Sequence, residues 1–293
     1  MIVEKGLRKK RSFAQNNKSP ITTNRIKLSK KKSSFVLIIC ATPIFIGFLF
    51  PSIVLFDFVI ERIFEIEVFE YASLLFNSLF LSICAAILTI ILGVFLVNTY
   101  ITSNNIIIRL SVSISRLGYA LPGVVLALGV IVPLITLDGY LKSIFGQYFN
   151  ITIGLIFSGT MIAIIYAYVI RFLTISYGTI ESGFVTLNPD ISAASRVLGQ
   201  SKYSTLLKIQ LPIIKPALIM SALLVFVDSM KELPATLILR PFNFDTLATH
   251  VYTYASLSQI EEAALPALTI VLAGLLPIIP VSYTHLRAHE TSR

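Results

Sequence analysis

Apolar residues in this chain come in blocks of about 20, the length that crosses a bilayer as a helix, with polar stretches between them. Taken in order, the blocks predict six membrane-spanning helices. Span one is expected at 34–56, bent at Pro43 and Pro51. Span two covers 72–97, where Ala85, Thr89 and Gly93 recur every four residues as a small-residue stripe for close helix approach. Span three covers 117–137. Its Pro122, Gly123, Gly129 and Pro133 suit a bent helix that lines a cavity, where freed backbone groups can find partners. Span four covers 151–176, with Gly159, Ala163 and Ala167 as a second small stripe and Arg171 expected to snorkel from its inner end. Spans five and six follow at 213–239 and 265–281.

The longest polar interruption, 188–212, has its own helical plan. Asn188 can cap a helix, Pro189 suits its first position and Asp190 favours its positive end. Ile191, Ala194 and Leu198 fall at i, i+3 and i+7 on one stripe. Gly199 can close this helix in the left-handed conformation, Ser201 can cap a second, and Pro212 is expected to limit that one.

Charge gives the pattern a direction. Eleven of the 24 Lys and Arg precede residue 33, and Arg109, Arg116, Arg196, Lys202 and Lys208 fall in the other connections on the same side. The opposite connections carry Arg62, Lys142 and Arg240, beside an acidic run of Asp57, Glu61, Glu65, Glu67 and Glu70. Basic connections face the cytoplasm, so both termini are expected inside. A basic flank beside a span speaks against a nucleic-acid partner. Mean hydropathy of +0.83 and 13% charged residues exclude an ordinary soluble domain. Cys40 and Cys84 lie in apolar runs and are expected to be small buried hydrophobes, with neither disulfide nor zinc spacing.

Span five contains Asp228, Lys231, Glu232 and Pro234. Intramembrane charges mark a pathway or a paired structural site, and both readings stay open. An Asp228–Lys231 pair would leave Glu232 with net negative character. Alternatively Glu232 itself pairs with Lys231. Pro234 is expected to bend the helix one turn beyond.

Two resemblances follow. Ala193, Ala194, Ser195, Gly199, Ile209, Leu211 and Pro212 fall where permeases of binding-protein-dependent ABC importers carry E-A-A-x-x-x-G, nine residues, then I-x-L-P. Ala193 replaces the Glu and Ser195 the second Ala. The resemblance implies a coupling loop at 188–212, including Arg196, that docks on an ATPase. The run from Phe226 to Ala248, with Glu261 to Leu268, resembles the C-terminal half of fused ferric-iron importer permeases. It implies an all-α membrane protein of the type I (MetI-like) six-helix architecture, located in a bacterial inner membrane.

Expected partners are an ABC ATPase subunit, a periplasmic or lipid-anchored substrate-binding protein, membrane lipid, and a second permease half, the missing N-terminal half of the same gene product. No cofactor, metal site or catalytic residue is expected. The sequence has no glycine-rich nucleotide loop, so ATP hydrolysis falls to the partner. Permeases for thiamine, phosphonate or polyamine share the loop and architecture and remain alternatives. A rival of another class is an ion-coupled secondary transporter using Asp228 and Glu232. A membrane-embedded enzyme lacks the His/Cys/Asp cluster it would need. The reading divides the chain into a basic cytoplasmic linker at 1–33, a permease domain at 34–281, and a non-native tail at 282–293 resembling a translated adapter. The metal-like His285, His289 and Glu290 are assigned to that tail.

Overall fold

A computed structural model of the chain describes residues 28–65 and 67–290. Most of the expected linker, and the side chains of His285, His289 and Glu290, lie outside the described residues. Among the described residues every regular element is helical.

The chain divides into two units, Met1–Pro51 and Ser52–Arg293. In the first, α1 (Lys30–Ile44) runs into a π-turn at Phe45–Leu49. Pro43 lacks an N–H and its ring crowds the carbonyl four residues back, so the ladder widens just beyond it. No residue of α1 is buried, and Cys40, expected inside, is exposed.

α2 (Phe50–Arg62) begins at the end of the first unit, and the second continues through α3 (Val68–Thr102), α4 (Ile106–Ser115), α5 (Gly123–Phe149) and α6 (Met161–Val185). Then come α7 (Pro189–Val197), α8 (Lys202–Thr205), a π-turn at Leu206–Gln210, and α9 (Leu211–Ile213). The chain ends with α10 (Lys215–Met230), α11 (Pro234–Leu239), α12 (Leu247–Ser256) and α13 (Ile260–Glu290). Among the described residues four helical stretches are long and apolar enough to cross a membrane: Lys30–Arg62, Val68–Thr102, Gly123–Phe149 and Met161–Val185. A fifth arises if Lys202–Ile213 and Lys215–Met230, bent by 74° to each other, form one broken span.

The long helix α3 shows how the bundle is built. One face carries Ser78, Ser82, Ala85, Thr89 and Gly93, all buried. The opposite face exposes Phe76, Phe80, Ile83, Ile87, Ile91 and Phe95, a stripe suited to lipid rather than water. The small face lets α6 and α10 approach closely. A Cβ on Gly93 would stand 2.9 Å from both Ile180 and Ser176. Ser176 donates to the Thr89 carbonyl at 2.9 Å and accepts from Ser221 of α10 at 2.9 Å. A Cβ on Gly183 would meet that of Ala217 at 2.6 Å. The second predicted stripe is real at Ala163 and Ala167, both fully buried, whereas Gly159 lies before α6 at φ +68°.

Three predicted boundaries are corrected. Span three begins at Gly123, because Pro122 caps the helix, and continues past Leu137 until Asn150 takes φ 52°. Span four begins at Met161 rather than 151. The intervening backbone is held by Asp138, whose carboxylate accepts from the N–H groups of Ile156, Phe157 and Ser158 and from the Ser158 hydroxyl. A carboxylate this deep needs several donors, and the loop supplies them. Span five is not one helix. α10 has 16 residues, about 24 Å at 1.5 Å each, short of an apolar core of about 30 Å, and stops at Met230.

Candidate functional site

Two regions gather the residues singled out in the sequence. The first is the 188–212 loop. The Asn188 side chain accepts from the Asp190 N–H at 2.9 Å, and Pro189 opens α7. The helix ends where Gly199 takes φ +77°. Gln200 N–H donates to the Ser195 carbonyl and Gly199 N–H to the Arg196 carbonyl, the paired bonds of a Schellman cap. Ser201 caps α8 by accepting from the Ser204 N–H.

Within α7 the motif positions divide. Ser195 is buried and hydrogen-bonds Thr205 at 2.7 Å, tying the two short helices together. Ala193, Ala194 and Arg196 are exposed, and Val197 and Leu198 are 87% and 79% exposed. Ile209 and Leu211 are partly buried, and Leu211 packs against the core cluster that includes Ile214, Leu206 and Phe184. Pro212 does not end the second helix as expected. It lies inside α9, and the bend comes at Ile214, next to Pro216 at the second position of α10. A proline near a helix start sacrifices no bond, so the stop falls where Pro216 begins the next ladder.

The second region is the break between α10 and α11, at Lys231–Leu233. Glu232 is 6% exposed. Its Oε2 lies 3.0 Å from Arg171 Nε of α6. The contact is electrostatic, since no acceptor stands in line with that Nε–H. Arg171 instead donates from Nη1 to the Leu121 carbonyl at 3.1 Å, and its guanidinium lies 5.6 Å from the ring centre of Tyr119. Glu232 Oε1 accepts weakly from Ala235 N–H at 3.4 Å. Tyr168 and Thr236 share a 2.6 Å hydrogen bond, and the Thr236 hydroxyl donates to the Glu232 carbonyl at 2.9 Å. Gly123 closes the cluster. A Cβ there would lie 3.0 Å from both Glu232 Oε1 and Pro234 Cβ, so any larger residue would have to push this carboxylate and proline aside.

This geometry corrects one expectation and decides between two open pairings. Arg171 does not snorkel, because an acidic partner and a carbonyl hold it inside the bundle. Glu232 does not pair with Lys231. Lys231 is 61% exposed and bridges to Asp228 at 2.8 Å. Asp228, Lys231 and Glu232 would share a face only on a continuous helix, and the helix stops before Lys231 turns. Pro234 opens α11 rather than bending a helix beyond the charges. Arg171, Tyr168, Thr236 and Gly123 were missed as site residues. The lone arginine in span four was the available signal, since an intramembrane cation demands a partner.

Beyond these, Arg62, Glu70, Tyr71, His250, Tyr254 and Glu262 line a cleft of about 310 Å³ at one end of the unit. Arg62 pairs there with Glu262, and the His250 ring lies 4.4 Å from that of Tyr254. Burial lowers the His250 pKa, against the opposing pull of Glu70 and Glu262. Among the described residues no group of three His, Cys, Asp or Glu side chains is placed to hold a metal ion.

Comparison with known proteins adds context to this geometry. Residues 101–286 match the family described as binding-protein-dependent transport system inner membrane component. The chain is 29% identical over 212 residues to the Fe(3+)-transport system permease protein FbpB 2 of Haemophilus influenzae, covering 71% of this chain and 38% of that protein. It is 30% identical over 225 residues to the ferric transport system permease protein FbpB of Actinobacillus pleuropneumoniae, covering 73% and 31%. The chain thus spans about a third of the length of these relatives. A chain of the bacterial alginate ABC transporter, solved with its alginate pentasaccharide-bound periplasmic protein, superposes with TM-score 0.65 at 15% identity, covering 88% of this chain and 96% of that one.

Proposed function

The chain belongs to the family of binding-protein-dependent transport system inner membrane components, and on that premise we propose that it is one six-helix half of a ferric-iron ABC importer. As a member of that family it is a multi-pass inner-membrane transport component and not an enzyme. In the proposed assembly a separate ATPase binds the 188–212 loop, a periplasmic or lipid-anchored binding protein delivers iron at the outer mouth, and a second permease half completes the pathway. Both termini face the cytoplasm. Iron as cargo is supported by the two ferric relatives, and the orientation by the placement of Lys and Arg.

The observation that carries the coupling role is the loop itself. A helix capped at both ends by its own residues presents Val197 and Leu198 outward, while Ser195 ties it to the second short helix and Leu211 packs into the core below. A rigid element with an apolar outer tip suits transmission of movement from a partner. The Arg171–Glu232 cluster then acts as a closure of the pathway at the break in the fifth span. Pairing with Arg171 also speaks against Glu232 as the ion site of a secondary transporter.

The test is co-purification and transport. The full-length protein co-expressed with its ATPase should copurify with it, and reconstituted vesicles should take up ferric iron only with ATP. Uptake driven by a proton or sodium gradient without ATPase would overturn the reading.

A further inference from the structure

The 188–212 loop and the end of α3 enclose a second cleft, of about 290 Å³. Its polar wall carries Arg196, Lys202, Asn98 and Gln210. Among the described residues, neither cation has a carboxylate within ion-pair distance. Arg196 uses only its Nε, donating to the Ser192 carbonyl at 3.2 Å, and Gln210 donates to the Ser192 hydroxyl at 2.9 Å. Both Nη groups of Arg196 and the Lys202 ammonium remain available to a ligand. Among the described residues no carboxylate lines the cleft, so its chemistry is that of donors awaiting an anion. Its other wall is apolar, formed by Ile101 and Phe184. A free anion has no use for that wall, whereas an amphiphile fills both.

We propose that this cleft binds the phosphate headgroup of an anionic inner-leaflet phospholipid, with the glycerol and upper acyl chain against Ile101 and Phe184. Basic pockets at the cytoplasmic ends of membrane helices have this chemistry, each cation contributing about 1 kcal/mol of attraction to anionic lipid. The inference rests on the orientation proposed above, which sets the cleft at the cytoplasmic surface. A lipid seated there bridges α3 and the loop that the ATPase would move.

The full-length importer with its ATPase, purified from membranes containing phosphatidylglycerol, should retain that lipid in native mass spectrometry. Arg196→Gln with Lys202→Gln should weaken retention roughly fivefold per cation removed. Ile101→Trp, which fills the cleft without changing charge, should displace the lipid as well. Lys208→Gln removes an exposed charge of the same loop outside the cleft and should leave retention unchanged. Equal losses in all variants, or none in the double variant, would overturn the site. Displacement by glycerol phosphate as complete as by phosphatidylglycerol would overturn the lipid assignment. So would a crosslink from Lys202→Cys to an ATPase carboxylate region in place of lipid. Orientation is read separately by an impermeant thiol reagent on Ser201→Cys in a cysteine-free background. Outer labelling defeats the proposed topology, while inner labelling without lipid retention defeats this inference alone.

Discussion

The chain interrupts its helices in two contrasting ways. At 188–212 the exposed backbone groups are satisfied locally. Asn188 and Ser201 cap, Gly199 reverses the chain, and Ser195 reaches only to Thr205. At Lys231–Leu233 the partners come from far along the sequence: Arg171 and Tyr168 from α6, and Gly123 at the start of α5. The first interruption is a self-contained part that moves as a piece. The second holds together only while three helices stay in register, which is what a closure must do if it is to open.

Substitutions at the two places should therefore differ in size and in kind. The largest effect is expected at the distant pairing. Glu232→Gln leaves Arg171 as a buried cation without a counter-charge, at a cost of about 3–5 kcal/mol. Membrane abundance should collapse, and Arg171→Met together with Glu232→Gln should restore abundance without restoring iron uptake. Lys231→Met in place of Arg171→Met should not rescue, because Lys231 is exposed and paired with Asp228. Abundance unaffected by Glu232→Gln would remove the contrast between the two interruptions.

Next in size is Gly123→Val. Its side chain would enter the space of Glu232 Oε1 and Pro234, and overpacking of this kind costs about 1–3 kcal/mol. Thermal unfolding in detergent should shift down with ATPase binding unchanged. Gly199→Val reverses that profile. Open space surrounds Gly199, so the penalty is the positive φ alone, about 1–2 kcal/mol. The protein should insert normally yet lose ATPase association. Substrate-stimulated hydrolysis at the unaltered rate would count against coupling through this loop.

How much of this was legible in the sequence follows from the same contrast. Asn188, Pro189, Gly199 and Ser201 act within a few residues of themselves, so cap chemistry located them. The small stripe at Ala85, Thr89 and Gly93 was legible for the same reason, being one face of one helix. Arg171 and Glu232 lie 61 positions apart, and nothing in either neighbourhood says that they meet. Local spacing found the pair it could reach, Asp228 with Lys231, but for Glu232 it offered only that same lysine. Likewise Asp138 halts span four from a preceding helix, so the start at Met161 was out of reach of a reading confined to residues 151–176.

Two smaller tests sharpen the picture. Ser195→Ala removes one hydrogen bond between α7 and α8, worth about 1 kcal/mol, and leaves the Thr205 hydroxyl its bond to Ser201. Loop protection against proteolysis should fall slightly, with bundle stability unchanged. At the opposite cleft, burial lowers the folded pKa of His250, so the unfolded chain binds its proton first. Stability from this group is complete above the ordinary histidine pKa of about 6.5 and declines as pH falls toward the folded value. His250→Gln should flatten that acid limb of the unfolding midpoint, measured between neutral and mildly acidic pH.

The hydroxyl of Ser176 has a mechanical consequence. It is the point where α6 is pinned on both sides, to Thr89 and to Ser221. Were that pair of hydrogen bonds the stiffest of its contacts, α6 would behave as a balance beam. By the rise of a helix, Val185 stands about 13 Å to one side of that fulcrum and Arg171 about 7 Å to the other. If the loop swings α6 about Ser176, roughly 3 Å of travel at Val185 becomes roughly half as much at Arg171, in the opposite direction. The Arg171–Glu232 contact at 3.0 Å would then stretch past ion-pair distance. Spin-label distances from Val185 and from Arg171 to a common point on α3 should change with opposite signs on ATP binding.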